Sequence, residues 1–416
     1  MTETADNLRW LYAGRALRSL STAFLTVVFP LYLAQSGYSA SRIGLVLSLS
    51  AALNIGLVAA VGLLADRYGR RTVLIGLSSL SAAAGIALAL TPVALPVLVL
   101  TSGLGGVGRG GGAGSGGGWG PVLPVEQPLV AGSARQDSTR AFGRLSFIGV
   151  MASAVGSLIA AVPAFLAPHG VPLAAGYRLL FALSGVLSLG IVAVSLPIRD
   201  RRPEPSTEAP PAIPLRRLLG RLGLTNALNG FGFGFLGPLL TYWFYRRYGM
   251  GAAELAVLYT IVNLVTAVPY LASSLLVQRL GQVRTVVVTR IAGVLALAAM
   301  PFMPSAAWAG AMYALRMGLN SLGMPARQSF SMDAAQESYR SRVAAFSSLP
   351  SQATSMISPA IGGAVMEEFL NFPIFGAAFF MLANGITYYL AFAHDDKPPG
   401  AGRTGPREAL GGSSAH

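Results

Sequence analysis

Apolar positions in this chain come in long runs. Between Trp10 and Ala393, stretches of about twenty apolar residues recur with short polar breaks, enough at about 1.5 Å per helical residue to cross a ~30 Å hydrocarbon layer. That layer offers backbone N–H and C=O groups no water, so such runs must be helices. About twelve spans are expected, near 10–34, 42–65, 72–92, 95–120, 142–166, 177–197, 222–245, 254–277, 285–303, 306–328, 343–366 and 374–393. No basic leader precedes the first run and no small-residue cleavage site follows it, so it reads as a span and not a removable signal.

The polar breaks have their own pattern. Arginines gather in every second one: Arg67, Arg70 and Arg71; Arg135, Arg140 and Arg144; Arg199 to Arg221; Arg279 and Arg284; Arg340 and Arg342. The positive-inside rule assigns these breaks and both termini to the cytoplasmic side, with Arg42 and the pair Arg246 and Arg247 as outer exceptions. The same alternation decides the stretch GLGGVGRGGGAGSGGGWGP at 103–121. Were it a linker, every later arginine cluster would change sides, so it is expected to cross the membrane. Its GxGxxG letters lack the strand-turn-helix setting of a nucleotide loop. The Pro-rich, charged segment RDRRPEPSTEAPPAIPLRR at 199–217 then divides six spans from six. The expected organisation is a bundle at 1–198, a cytoplasmic linker at 199–220, a second bundle at 221–393 and a disordered tail at 394–416.

Composition agrees with a membrane protein: of 416 residues 53% are hydrophobic and only 11% charged, with mean hydropathy +0.59. The net charge of +14 is spread over alternate membrane edges, which argues against a nucleic-acid partner. With no cysteine, thiolate chemistry is excluded. There is no HExxH, Walker lysine or GxSxG, and His169, His394 and His416 all avoid span centres, so neither an enzyme nor a cofactor nor a metal site is expected.

Two short motifs recur at matching places. GLLADRYGRRTV at 62–73 is echoed by SLLVQRLGQVRTV at 274–286, and PVEQ at 124–127 by PARQ at 325–328, a pattern that argues duplication of a six-span unit. GLLADRYGRR, in the break after the second span, resembles the signature of the major facilitator superfamily. Arg109 followed by Gly112, Gly116 and Gly120 is similar to that superfamily's fourth-helix pattern. SPAIGG at 358–363 loosely resembles a proton-antiporter pattern, but it falls in the eleventh span instead of the fifth. The resemblance implies an all-helical fold of two pseudo-symmetric six-helix bundles that rock about a central site. It further implies that the first, fourth, seventh and tenth helices line the cavity.

Candidate residues follow from cost. A charge at the bilayer centre costs at least ~2.5 kcal/mol, so an intramembrane arginine needs a cavity or a partner. Arg15, Arg18, Arg109 and Arg316 fall on helices that the resemblance assigns to the cavity, while Arg290 falls outside them and reads as structural. Arg15 and Arg18 share a helix face and either form one cationic site or snorkel to headgroups. Carboxylates are scarce in the spans: Glu126 and Asp333 lie near inner ends, Glu254 near an outer end, and Glu367 with Glu368 in an outer loop. Several guanidinium groups and few acids favour an anion-bearing small solute, moved by export or exchange. From the seventh span, Asn226, Asn229, Phe231, Phe235 and Tyr242 are candidate contacts. Gly62, Asp66, Arg67, Gly69, Arg70 and Arg71 form a candidate conformational lock, and Glu126 with Arg327 either a gate between the halves or two unrelated helix-end charges. Two alternatives remain open, a proton-coupled multidrug antiporter and a lipid flippase on the same fold. The expected partners are a small-molecule substrate, protons or a counter-anion, and the lipid of the cytoplasmic membrane; a monomer suffices.

Overall fold

The computed structural model describes residues 2–91, 94–105, 120–133, 138–199, 215–333 and 340–393. Within these residues the chain is helical and has no strand. The first half comprises α1 (Thr2–Gln35), α2 (Ala40–Tyr68), α3 (Arg70–Leu90), α4 (Leu95–Gly105), α5 (Leu123–Ser133), α6 (Ser138–Ile159), the single turn α7 (Val162–Leu166) and α8 (Leu173–Ser195). The second comprises α9 (Leu215–Tyr248), α10 (Ala252–Leu280), α11 (Gln282–Ala299), α12 (Ala306–Asp333), α13 (Arg340–Met366) and α14 (Phe372–Phe392). Eight of the described helices are long and apolar enough to cross a membrane. The expected fourth span begins as α4. Residues 106–119 of the glycine-rich run, Arg109 among them, lie outside the described residues, as do most of the expected linker and the tail.

The two echoed motifs fold alike. Gly69 separates α2 from α3 with φ +88°, and Gly281 separates α10 from α11 with φ +85°. Each glycine N–H closes the preceding helix by donating to the carbonyl four residues back, Ala65 at 3.0 Å and Val277 at 2.9 Å. A side chain at such φ is strained, so glycine is needed at both turns.

Packing within each half and across them differs from one end of the molecule to the other. α1 packs on α6 and α8, and α3 on α4 and α8; in the second half α9 packs on α13 and α14, and α11 on α12 and α14. Across the halves α2 meets α13, α6 meets α10 and α1 meets α9. One large buried cluster, with Phe24, Phe29 and Ile43 from the first half and Leu239, Trp243 and Tyr259 from the second, fills the end away from the termini. At the end that carries the termini, the described residues form two separate clusters, one around Leu11, Val73 and Leu145 and another around Leu222, Val283 and Phe392. The halves therefore share a core at the distal end and have their own cores at the terminal end.

Candidate functional site

A cavity opens between α11, α12 and α14, and three of its lining residues are arginines: Arg290, Arg316 and Arg327. Among the described residues no Asp or Glu lines it. Arg316, from the middle of α12, is only 3% exposed. Its Nη1 points at the Met317 sulfur at 3.1 Å, its Nη2 at the Met381 sulfur at 3.2 Å, and its guanidinium carbon lies 5.7 Å from the centre of the Phe233 ring. Thioethers are weak acceptors and a ring face is only a quadrupole, so this buried cation is solvated softly and, among the described residues, without a carboxylate in contact.

The other two arginines are held from behind. Arg290 Nη1 donates to Asn229 Oδ1 at 2.6 Å, and Arg327 Nη2 donates to Asn226 Oδ1. Asn226 and Asn229 are three apart on α9 and so share one face. Both are expected substrate contacts, and in the structure each accepts a hydrogen bond from an arginine, one on α11 and one on α12. Arg290, expected to be structural, also lines this cavity. α11 packs along α12 and turns Arg290 into the same cavity as Arg316. The signal was present in the sequence, since burying a guanidinium costs the same on any helix.

Glu126 is 2% exposed on α5 and bridges Arg15 and Arg18 of α1, accepting from Arg15 Nη1 at 2.7 Å and from Arg18 Nη2. The expected gate between Glu126 and Arg327 is thus not formed here. α5 packs against α1, and two arginines one turn apart converge on the one buried carboxylate within reach. Arg15 and Arg18, expected as substrate ligands, are therefore engaged by the protein's own acid.

The aromatic residues expected as contacts pack against neighbouring rings. Phe231 stacks on Phe380 of α14 with centroids 4.7 Å apart, and Phe235 meets Phe372 edge-on at 5.8 Å. Tyr242 is buried in the distal core, 6.5 Å from the Tyr245 ring. Of the candidate lock, Arg67 is exposed with its guanidinium 5.5 Å from the Tyr68 ring centre, and Arg71 donates to the Leu196 carbonyl past the end of α8. Arg70 opens α3 directly after Gly69. Gly62 and Asp66 lie in the last turns of α2; the surroundings of Gly62 and the Asp66 side chain lie outside the described residues.

Hydrogen bonds between the halves line the distal end. Ala360 N donates to Ser48 Oγ at 2.9 Å, Thr260 Oγ1 to the Ala154 carbonyl at 3.1 Å, Asn263 Nδ2 to Ser157 Oγ at 3.2 Å and Thr241 Oγ1 to the Thr26 carbonyl at 3.4 Å. At the rim, Ser41 N donates to Glu367 Oε1 at 3.0 Å. The Ser39 hydroxyl, that Ser41 amide and the charge of Arg42 together hold the Glu367 carboxyl below its ordinary value.

Residues 11–324 and 222–414 match the model of the Major Facilitator Superfamily, and the chain belongs to that family of transporters. No curated protein matches it. In fold it is similar to a bacterial homologue of the human lysosomal transporter Spinster, crystallised inward-facing and unoccupied, at 15% identity and a TM-score of 0.68, covering 95% of this chain and 99% of that one. It is likewise similar to the nucleoside transporter NupG, at 12% identity and TM-score 0.67 over 93% and 98% of the two chains. A third is the E. coli xylose transporter XylE in an inward open conformation, at 15% identity and TM-score 0.66 over 92% and 95%. The chain is thus a multi-pass membrane transporter with the twelve-helix fold of its family.

Proposed function

We propose that this transporter moves a small organic solute bearing an anionic group across the cytoplasmic membrane by alternating access, in export or exchange. The observation that carries this reading is Arg316, a fully buried guanidinium whose partners are two thioethers and a ring. A permanent charge in that setting is stabilised by an anion that arrives and leaves, and the planar fork suits carboxylate, sulfate or phosphate. The arginine-rich breaks support assigning the terminal end to the cytoplasm, and the shared distal core then corresponds to an inward-facing state. Flux of labelled organic anions in proteoliposomes tests the reading. Arg316→Gln is expected to reduce flux about tenfold to a hundredfold, the worth of ~1.5–3 kcal/mol for a lost charge-assisted hydrogen bond. Unchanged anion flux in that variant would sink it.

One observation favours a second reading. Glu126 is a buried acid that two arginines share, a place where a proton could be exchanged for a conformational change. Proton-coupled efflux of an amphipathic drug would then depend on Glu126 and on a proton gradient, and would survive Arg316→Gln.

A further inference from the structure

We infer that the arginine cavity selects an organic anion with an apolar body, an alkyl or aryl carboxylate, over one of equal charge whose body carries hydroxyl groups, such as a sugar acid. This rests on the anionic reading above and adds the chemical class of the solute.

Hydrogen-bonding groups on the cavity wall are one-sided. A guanidinium donates and never accepts, and Arg290, Arg316 and Arg327 all line the cavity. A carboxylate, which only accepts, matches such a wall. A hydroxyl must also find an acceptor for its own proton, and most acceptors in reach are engaged. The Asn229 and Asn226 side-chain oxygens accept from Arg290 Nη1, at 2.6 Å, and from Arg327 Nη2. Thr289 Oγ1 donates at 2.8 Å to the Thr285 carbonyl on its own helix, which leaves its lone pairs to offer. Asn320 adds an amide one turn along α12 from Arg316. Apart from these two, the described side chains of the wall offer a polyol the sulfurs of Met324 and Met381, which are weak acceptors. Each hydroxyl taken in without a partner loses its bonds to water with nothing in return.

Arg316 sits in the least polar part of that wall. Its two Nη groups rest on the Met317 and Met381 sulfurs, and its guanidinium carbon lies 5.7 Å from the centre of the Phe233 ring. Gly293 and Val294 face the same space from α11. An oxyanion is a far stronger acceptor than a thioether, so a carboxylate draws Arg316 from the sulfurs at small cost. The carbons next to that carboxylate then lie against methionine, valine and phenylalanine. Methionine adapts its shape to alkyl and aryl groups alike, and apolar surface gains from leaving water there.

Carboxylates of equal charge and matched skeleton test the class. Full-length protein in nanodiscs near neutral pH, with empty nanodiscs subtracted, is titrated calorimetrically with hexanoate against gluconate and with cyclohexanecarboxylate against quinate. Within each pair the head group and the carbon count are the same, and only hydroxyl groups differ. The hydroxyl-free member is expected to bind about tenfold or more tighter, the worth of roughly two buried methylene groups. Met381→Gln, which puts an amide that both donates and accepts beside Arg316, is expected to shrink that ratio severalfold, whereas Met381→Leu keeps it. Arg316→Gln is expected to abolish binding of both members. Equal or reversed binding within the pairs, lost in Arg316→Gln, would overturn the apolar class while leaving an anionic substrate. A ratio unmoved by Met381→Gln would put the ligand's body away from this wall and overturn the inference as well. Binding of neither member, or binding indifferent to Arg316, would overturn the anionic reading itself. The wild-type comparison decides the class even where a variant does not fold.

Discussion

Arg15, Glu126 and Arg18 form the tightest charged group among the described residues, and its worth is best read by breaking it. Removing one partner of a buried ion pair strands the other, at a cost of ~3–5 kcal/mol, whereas removing both ends is far milder. Glu126→Gln should therefore lower the thermal unfolding midpoint clearly, and adding Arg18→Gln should restore part of the loss. A double variant no better than the single one would show that Arg18 draws nothing from Glu126. The sequence revealed these residues by cost alone: each is too expensive in a membrane to lack a role. It did not reveal their partners. Glu126 could serve α1 or, through the echo of PVEQ and PARQ, Arg327; the choice depends on α5 lying against α1, a tertiary fact that no spacing encodes.

The same division between what is local and what is tertiary holds for whole helices. Spans were legible because each needs about twenty apolar residues, and expected bounds such as 254–277 fall inside α10, Ala252–Leu280. The turns at Gly69 and Gly281 were legible as an echo. What could not be read is where two helices touch closely. α2 and α13 cross so tightly at the distal end that a methyl on Gly44 would overlap the Pro359 carbonyl, and one on Gly363 the Ala40 carbonyl. Both obstacles are backbone, which cannot rotate aside as a side chain can. Gly363→Ala should thus push the helices apart and disfavour the distally closed state. Because the chain has no cysteine, a single Thr26→Cys in the buried distal core reports this cleanly. An impermeant maleimide added from the distal side is expected to label it severalfold faster in the Gly363→Ala background. Equal labelling would mean the crossing tolerates the methyl and does not govern closure.

At the scale of the molecule, the sequence cannot say which end is closed, since both alternating states use the same residues and differ by only a few kcal/mol. The distal rim shows what tips that balance. Glu367, just past α13, accepts from Ser41 at the start of α2 and faces Arg42, so the arginine that broke the charge pattern has a counter-charge across the halves. This carboxyl titrates below its ordinary value of 4.5, and the sign of the consequence follows. A group with a depressed value favours the latched state fully above its free value, and that contribution fades as pH falls through the depressed one. The latch is therefore constant between about pH 5 and pH 8 and weakens only in stronger acid. Glu367→Gln should raise Thr26→Cys labelling at neutral pH, and the ratio of variant to parent should stay flat from about pH 5 to pH 8, then fall toward unity below about pH 4. A ratio that changes between pH 6 and pH 8 would move the titrating group elsewhere.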